Sequence, residues 1–161
     1  MAENGTLGLE YPTVGGPSPE IPVTMAYPEE IKSVTHNTLR VTEGSLPWVA
    51  ASGVEGVSDL EIQLAAETHL ESAYSVTLYF AELDDKIGQG DRVFDVAVQG
   101  KTVRENLDIV RETGGSMLET SIRVPSVTIR DNVLRISLKP HKGSRKAILS
   151  GIHIEKTTDS L

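Results

Sequence analysis

The residues of this chain best suited to chemistry are carboxylates that follow a strand-like segment. Glu82, Asp84 and Asp85 lie close together, and Asp91 closes the same polar segment. Two carboxyl groups about 5 to 9 Å apart can form a glycosidase pair, and several such oxygens can hold Ca²⁺. The spacing matches no EF-hand loop, and acidic loops are common in a chain of net charge −8. We therefore expect no catalysis and no cofactor here, with structural calcium as the alternative.

Other catalytic constellations are absent from the sequence. The four histidines, His36, His69, His141 and His153, are scattered without metal-ligand spacing. There is no Gly-x-Ser-x-Gly nucleophile turn and no phosphate-binding loop. There is also no cysteine, which excludes disulfides and thiolate metal sites. The residues therefore predict a protein that is not an enzyme.

The charge of the chain limits its partners. Fifteen basic residues stand against 23 acidic ones. Such a surface is repelled by phosphate backbones and anionic membranes, so we expect neither nucleic acid nor membrane as a partner. Residues 1–8 lack the basic start and apolar core of a signal peptide. Either the protein is cytoplasmic or the sequence is a fragment of a larger chain.

Two strand-like segments position the acidic loop. Residues 74–82 and 92–98 alternate between apolar and polar side chains and are rich in β-branched and aromatic types. The predicted apolar faces are Tyr74, Val76, Leu78 and Phe80 on the first, and Phe94, Val96 and Val98 on the second. The loop between them is long and polar, and loops on a rigid β scaffold often carry function. The alternative is a plain solvated loop.

The rest of the chain also reads as short strands. Leu60, Ile62 and Leu64 alternate, as do Leu134, Ile136 and Leu138. Pro125 indicates either an edge strand or the start of a strand. Residues 148–154 predict one last strand, with Ile148, Ser150, Ile152 and Ile154 on one face. Residues 50–56 read as a small-residue loop. About eight strands and no convincing helix predict an all-β fold, an antiparallel β-sandwich or jelly roll.

The amino terminus differs in composition from the remainder. Residues 1–30 carry five prolines and no helix survives that density of breakers. We predict three parts: an extended lead-in over residues 1–34 that packs on the sandwich, the sandwich itself over residues 35–156, and a tail over residues 157–161. A disordered linker is the alternative for the lead-in.

Two further groups of side chains need a role. Trp48 follows a proline turn, and such a tryptophan is either a core plug or loop anchor, or a stacking platform for a sugar ring. Carboxylates inside strand-like runs are normally paired with arginine or with backbone amides. We therefore expect these acids to specify the fold, with arginines close in sequence as candidate partners. The acids are Glu82, Asp95 and Asp108, and the arginines are Arg92 and Arg104.

Several ordered motifs resemble the malectin-type domains over residues 74–154. They are Tyr-x-Val-x-Leu-x-Phe-Ala-Glu from Tyr74, Gly-x-Arg-Val-Phe-Asp-Val-x-Val-x-Gly from Gly90, residues 103–115, and Leu-Ser-Gly-Ile-His-Ile from Leu149. A narrower likeness, to malectin-like domains of large bacterial secreted proteins of planctomycete type, includes residues 5–7, 47–48 and 52–56. The resemblance implies a galactose-binding-like jelly roll that binds carbohydrate without catalysis. It also implies an extracellular or periplasmic location, within a larger chain.

This sequence departs from the family's pattern at the positions that bind the ligand. Malectin carries aromatic residues just after Phe-Ala-Glu and an acid before its last strand, positions that fall here near Asp84 and Asp85, and near Ser144 or Arg145. The predicted ligand-binding residues are Trp48, Asp84, Asp85, Lys86, Ser144 and Arg145. The predicted partner is a neutral or basic glycan. The alternative is a neighbouring domain or protein partner, which predicts an apolar surface patch including Tyr11, Tyr27 or Tyr79.

Overall fold

The structure is a computed structural model that describes residues 23–26, 32–35, 44–64 and 71–157. This part contains eleven strands and two short helices. The strands are β1 (Val23–Ala26), β2 (Lys32–Thr35), β3 (Ser52–Glu55), β4 (Asp59–Gln63), β5 (Ser72–Ala81), β6 (Phe94–Val98), β7 (Lys101–Leu107), β8 (Glu119–Ile129), β9 (Val133–Pro140), β10 (Ile148–Leu149) and β11 (Gly151–Lys156). The helices are α1 (Pro47–Ala50) and α2 (Ile109–Thr113).

The strands form three antiparallel sheets. One has five strands in the order β1-β4-β9-β6-β7, and the other two have three strands each, β10-β3-β2 and β11-β5-β8. The predicted all-β, antiparallel β-sandwich is confirmed, although the described part contains more strands than the eight or so expected. β1 lies inside the predicted lead-in and β2 crosses its predicted end; they pair with β4 and β3, respectively. The three-part division of the chain stays a prediction.

The interior follows the predicted alternation. Phe94, Val96 and Val98 on β6 are buried, and the residues between them are half-exposed. Phe80 on β5 faces them: its ring centroid lies 5.9 Å from that of Phe94, with the rings tilted by 53°. Because such alternation buries one face of each strand, the inward residues of all three sheets join a single apolar cluster.

The second face of β5 is buried as well, which the alternation does not predict. Tyr79 is only 6% exposed and Ala81 is fully buried. Helix α1 covers this end of the strand: a Cβ added at Gly151, which pairs with Tyr79, would lie 2.1 Å from Cγ1 of Val49. Tyr79 therefore cannot contribute to the apolar surface patch of the alternative hypothesis, and that expectation is wrong. Tyr11 and Tyr27 lie outside the described residues.

The secondary structure predicted from the sequence is wrong for two segments. The expected small-residue loop contains β3, in which a Cβ at Gly53 would lie 3.2 Å from Cγ1 of Ile148, so small residues allow close packing there. The expected single last strand is split: β10 pairs with β3, and β11 pairs with β5. Between them, the N–H of Ser150 donates to the carbonyl oxygen of Tyr79 (2.9 Å). The chain changes sheet at Ser150.

The expectation of no helix is also wrong. Helix α2 begins after Asp108, whose side chain accepts a hydrogen bond from the N–H of Arg111 (3.1 Å). It ends at Gly114, in the left-handed conformation with φ of 82°. An aspartate cap followed by a terminal glycine is a recognisable signature of a short helix.

The edge-strand assignment from Pro125 is confirmed. β8 is an outer strand of its sheet. Its register with β5 shifts between the pair Tyr74–Val127 and the pair Val76–Val124, so that two residues oppose one at a bulge containing Pro125. A proline is tolerated there because no ladder hydrogen bond from its nitrogen is needed.

Candidate functional site

The acidic loop after β5 begins and ends on a buried ion pair. Glu82 is 1% exposed and Arg92 is 2% exposed. Nε of Arg92 donates to Oε2 of Glu82 (2.6 Å), and the N–H of Asp84 donates to Oε1 of the same carboxylate (3.1 Å). The expected pairing of Glu82 with a nearby arginine is therefore confirmed. A glycosidase pair of Glu82 with Asp84 or Asp85 is not formed, because both oxygens of Glu82 serve the fold.

Arg92 also joins two segments that are distant in sequence. One Nη donates to Oε2 of Glu55 on β3 (3.0 Å), and the other donates to the carbonyl oxygen of Lys146. One guanidinium thus connects β3, the end of β5 and the loop after β9. The sequence does not predict a role for Glu55, because its segment has the composition of a small-residue loop.

The loop after β9 lies directly against the acidic loop. The hydroxyl of Ser144 accepts from the N–H of Val93 (2.6 Å) and donates to the carbonyl oxygen of Asp91 (3.3 Å). The N–H of Arg145 donates to the same carbonyl oxygen (2.9 Å). The side chain of Arg145 is exposed, whereas the hydroxyl of Ser144 is engaged within the fold. The acidic loop and the loop after β9 are therefore brought together.

The acidic loop is shaped by its own carboxylates. Oδ1 of Asp84 accepts from the N–H of Lys86 (3.0 Å), and Oδ2 of Asp91 accepts from the N–H of Gly88 (2.8 Å). The side chain of Ile87 is buried and anchors the turn, while Asp84, Asp85 and Lys86 are exposed. In the described part of the chain, no three histidine or acidic side chains converge as metal ligands.

Asp95 fixes the start of the loop after β9 to the five-stranded sheet. Its Oδ1 accepts from the N–H of Asn106 (2.8 Å) and lies 2.9 Å from Nε2 of His141. These hydrogen bonds, first that from Asn106 and then that with His141, lower the pKa of the Asp95 carboxyl below its ordinary value. The expected role of Asp95 in specifying the fold agrees with these contacts, although its partners are not arginines.

Asp108 and Arg104 complete the set of fold-specifying residues named from the sequence. Asp108 is buried, and besides capping α2 it accepts from the N–H of Gly90 in the acidic loop (2.8 Å). Its partners are backbone amides, which was one of the two expected pairings. Arg104 instead pairs with Glu112 on α2.

Trp48 lies at the same end of the molecule as the two loops. It is 42% exposed, the one large apolar side chain in the described part that is this accessible, while Ala50 and Ala51 behind it are buried. The segment before α1 is bound to Glu119, which pairs with Ala81, the last residue of β5 before the acidic loop. The core-plug alternative for Trp48 is therefore wrong. The sequence pattern does not predict a role for Glu119, since its partners lie 74 and 73 residues away along the chain.

These geometries can be compared with known proteins. The family model of the Malectin domain matches residues 60–156, more than half of the chain. Receptor-like protein 4 of Arabidopsis thaliana is 38% identical over 82 residues, which are 50% of this chain and 13% of that protein. The chain therefore spans a small part of its curated relative.

Solved structures show the same fold at low identity. The plant complex of the peptide RALF23 with FER and LLG2 superposes with a TM-score of 0.67 at 16% identity, covering 89% of this chain and 42% of the other. The extracellular domain of ANXUR2 from Arabidopsis thaliana gives 0.66 at 16% identity, with the same coverage. A Bacteroides uniformis β-glucuronidase gives 0.65 at 15% identity, covering 84% of this chain and 14% of the enzyme.

The curated relative corrects one expectation, the source of the likeness. The likeness to bacterial secreted proteins is too narrow, because the curated relative is a plant receptor-like protein. In the described residues, no helix has both the length and the apolar character needed to cross a membrane. With a family model matched over most of its strands and the fold seen in receptor ectodomains, the chain belongs to the Malectin domain family.

Proposed function

We propose that this domain is a non-catalytic carbohydrate-binding module that holds a glycan at the loop end of the sandwich. The observation that carries the proposal is the exposed indole of Trp48, on a helix whose preceding segment is bound to Glu119 opposite Ala81, where the acidic loop begins. An indole face matches the apolar face of a pyranose ring, and sugar sites combine such a platform with a few polar groups.

In this proposal the two loops supply the polar groups of the site. The side chains of Asp84, Asp85, Lys86 and Arg145 are exposed. Carboxylates accept hydrogen bonds from sugar hydroxyls, while ammonium and guanidinium groups donate to them. Both signs of charge are present, within a chain of net charge −8. These features support a neutral or basic glycan as the ligand. Ser144 supports the site indirectly, by joining the two loops.

The absence of catalysis is part of the proposal. The carboxylate of Glu82, the acid best placed for chemistry, is buried and bound to Arg92. We also propose an extracellular or periplasmic location within a larger chain, supported by the ectodomain neighbours and by the small share of the curated relative that this chain spans. A separate structural calcium site stays a prediction that the binding experiment below includes.

A second candidate is a protein-interaction domain without sugar binding. It is favoured by the scarcity of exposed aromatic rings: among the described residues, Tyr79, Phe80 and Phe94 are buried and Tyr74 is half-buried. One solved neighbour is the complex of the plant peptide RALF23 with FER and LLG2. Here the same loops and Trp48 would contact a protein or a neighbouring domain.

The test is binding to a broad glycan array, with and without Ca²⁺, using the domain displayed in many copies because single-module affinity is normally weak. Trp48→Ala should strongly weaken binding, to a level that the multivalent display still measures. Asp84→Asn with Asp85→Asn removes two charges while an Oδ1 acceptor remains for the turn. The matched control is Asp131→Asn with Glu155→Gln. It also removes two charges, at the ends of β9 and β11 that lie away from the two loops and α1.

The outcomes separate the two candidates. Binding that is strongly weakened in the Trp48 and Asp84/Asp85 variants and unchanged in the control supports the module and its site. Binding that both loop-end variants retain would contradict the assigned site. No binding by the wild-type domain, with or without Ca²⁺, would contradict the module and leave the protein-interaction candidate.

A further inference from the structure

We infer that Glu119 is the positioning residue that fixes Trp48 for ligand contact. This inference rests on the proposed function for the role of Trp48 in binding, but not for the geometry. Glu119 is not expected to touch the ligand itself. Its effect on binding passes through the segment that carries the indole.

The contact between Glu119 and that segment consists of three hydrogen bonds. Oε1 accepts from both the N–H (2.9 Å) and the hydroxyl (3.0 Å) of Ser45. Oε2 accepts from the N–H of Leu46 (3.0 Å). A carboxylate that accepts three hydrogen bonds with both oxygens holds its partners in one orientation, and charge-assisted bonds of this kind are stronger than neutral ones.

Helix α1 needs such an external partner. It is four residues long, and its N-cap residue Leu46 provides no side-chain hydrogen bond. Isolated helices of this length do not persist in water, because nucleation fixes several residues for a single hydrogen bond. Glu119 supplies the missing acceptor at this end. It does so from β8, a strand held in its sheet by the pairing of Glu119 with Ala81.

Two glycines allow the close approach of α1 to the sheet. Gly44 adopts φ of +130°, and a Cβ there would lie 2.5 Å from the carboxylate of Glu119. Gly151 gives room to Val49, the residue after Trp48. The indole is thus carried on a segment fixed from both sides, by Glu119 before it and by β11 after it. A side chain ordered before binding loses less conformational entropy on binding.

The geometry can be tested without any ligand. Trp48 is the only tryptophan, so its fluorescence anisotropy and its quenching by acrylamide report on this segment alone. Glu119→Ala should lower the anisotropy and raise the quenching rate. Glu119→Gln, which keeps an acceptor oxygen, should lie between that variant and the wild type. Glu155→Gln, an exposed charge on β11 away from α1, should match the wild type. Unchanged anisotropy and quenching in Glu119→Ala would overturn the inference.

A double-mutant cycle tests the link to binding, using the glycan that the array identifies. Glu119→Ala should weaken binding about two- to tenfold, the entropy cost of one side chain that must be ordered on binding. In a Trp48→Ala background the same change should have no further effect. An equal loss in both backgrounds would overturn the positioning role. Full binding by Trp48→Ala alone would instead contradict the proposed function, with the fluorescence result still deciding whether Glu119 holds the indole.

Discussion

The interior of this sandwich and its loop end are held together by different means. In the interior, Phe80, Phe94 and their neighbours are contributed by strands whose apolar residues alternate, and they join one cluster. At the loop end, single polar groups such as Arg92 and Glu119 each bind segments far apart in the sequence. The interior depends on area and close packing, which many residues share, whereas the loop end depends on a few directional bonds.

This difference has a consequence for mutation. A packed interior tolerates swaps that conserve volume but not the removal of a large side chain. A buried polar cluster is harmed most when one partner is removed and the other is left without compensation. Substitutions that separate these two responses are the strongest test of the contrast.

The largest loss of stability is expected from the interior. Phe80→Ala removes a fully buried ring that contacts Phe94, and we expect it to lower the free energy of unfolding by about 3–5 kcal/mol. Urea unfolding followed by circular dichroism measures this change. Phe80→Leu is the control, with a loss below that of alanine because most of the volume is kept. A loss under about 1 kcal/mol for Phe80→Ala would mean that the interior can collapse around the gap.

The loop end should respond almost as strongly to one polar change. Arg92→Ala leaves Glu82 buried without its cation, and we expect a loss of about 3 kcal/mol, the low end for buried pairs because Glu55 is 23% exposed and keeps contact with water. The same urea titration measures it. Arg92→Met combined with Glu82→Leu should recover much of the loss, since the fully buried charge of Glu82 is removed and the remaining carboxylate, Glu55, keeps contact with water. If the double variant is the less stable of the two, the hydrogen bonds contribute more than the desolvation argument allows.

The contact between α1 and β11, where the two regions meet, should show an intermediate loss of stability. Gly151→Ala places a methyl group where Cγ1 of Val49 lies, so α1 must move, at a cost of about 1–3 kcal/mol. Thermal unfolding measures the loss, and a shift of Trp48 fluorescence reports the displacement of α1. Gly115→Ala is the matched control, because its Cβ would make an ordinary contact of 3.8 Å with Leu118. Equal behaviour of the two variants would contradict the close approach of α1 to β11.

The smallest expected effect is on the loss of stability at acidic pH. The pKa of the Asp95 carboxyl in the folded protein lies below its ordinary value of 3.8, because the N–H of Asn106 and then His141 bind the charged form. The unfolded chain therefore binds its proton first as the pH falls. The stabilisation from Asp95 is complete above the unfolded pKa and is lost as the pH falls through the folded pKa.

Asp95→Asn should consequently flatten the decline of stability with acid below about pH 4. Urea midpoints measured from neutral pH downwards check this. The pKa of Asp131 is also lowered, chiefly by its hydrogen bond with Arg135. Asp131→Asn should therefore give a separate flattening that adds to the first, since the two sites share no partner. An acid limb as steep in Asp95→Asn as in the wild type would contradict the assigned role of Asp95.

Much of the fold is legible in the sequence. The alternation that predicts Phe94, Val96 and Val98 as inward-facing is the alternation the structure has, and Pro125 marks an edge strand as its missing N–H requires. The predictions fail where the fold depends on backbone geometry and not on the alternation of side chains. Gly53 lies in a strand that packs closely against Ile148, although the small residues of its segment are typical of a loop. The chain changes sheet at Ser150, although the apolar alternation of the sequence continues through that residue.

The candidate site was legible only in part. Sequence motifs and polarity indicated the loops that carry Asp84 and Arg145, and a nearby arginine was expected to pair with Glu82. The contacts that bring those loops together were not predictable. Ser144 binds Val93 and Glu119 binds Ser45, pairs that no local pattern connects. Such hydrogen bonds can be identified only once the strand order is known, because each joins residues that are far apart in the sequence and close together in the fold.

The change of sheet at Ser150 also bears on how the domain folds. β10 and β11 complete two different sheets by pairing with strands from the first half of the chain. Loop closure over such distances costs entropy before any contact compensates for it, so domains dominated by non-local strand pairs fold slowly, in milliseconds to seconds. Until the last strands dock, β3 and β5 each expose an unpaired edge that another chain can bind. During synthesis, this domain would depend on its final segment to leave the aggregation-prone state.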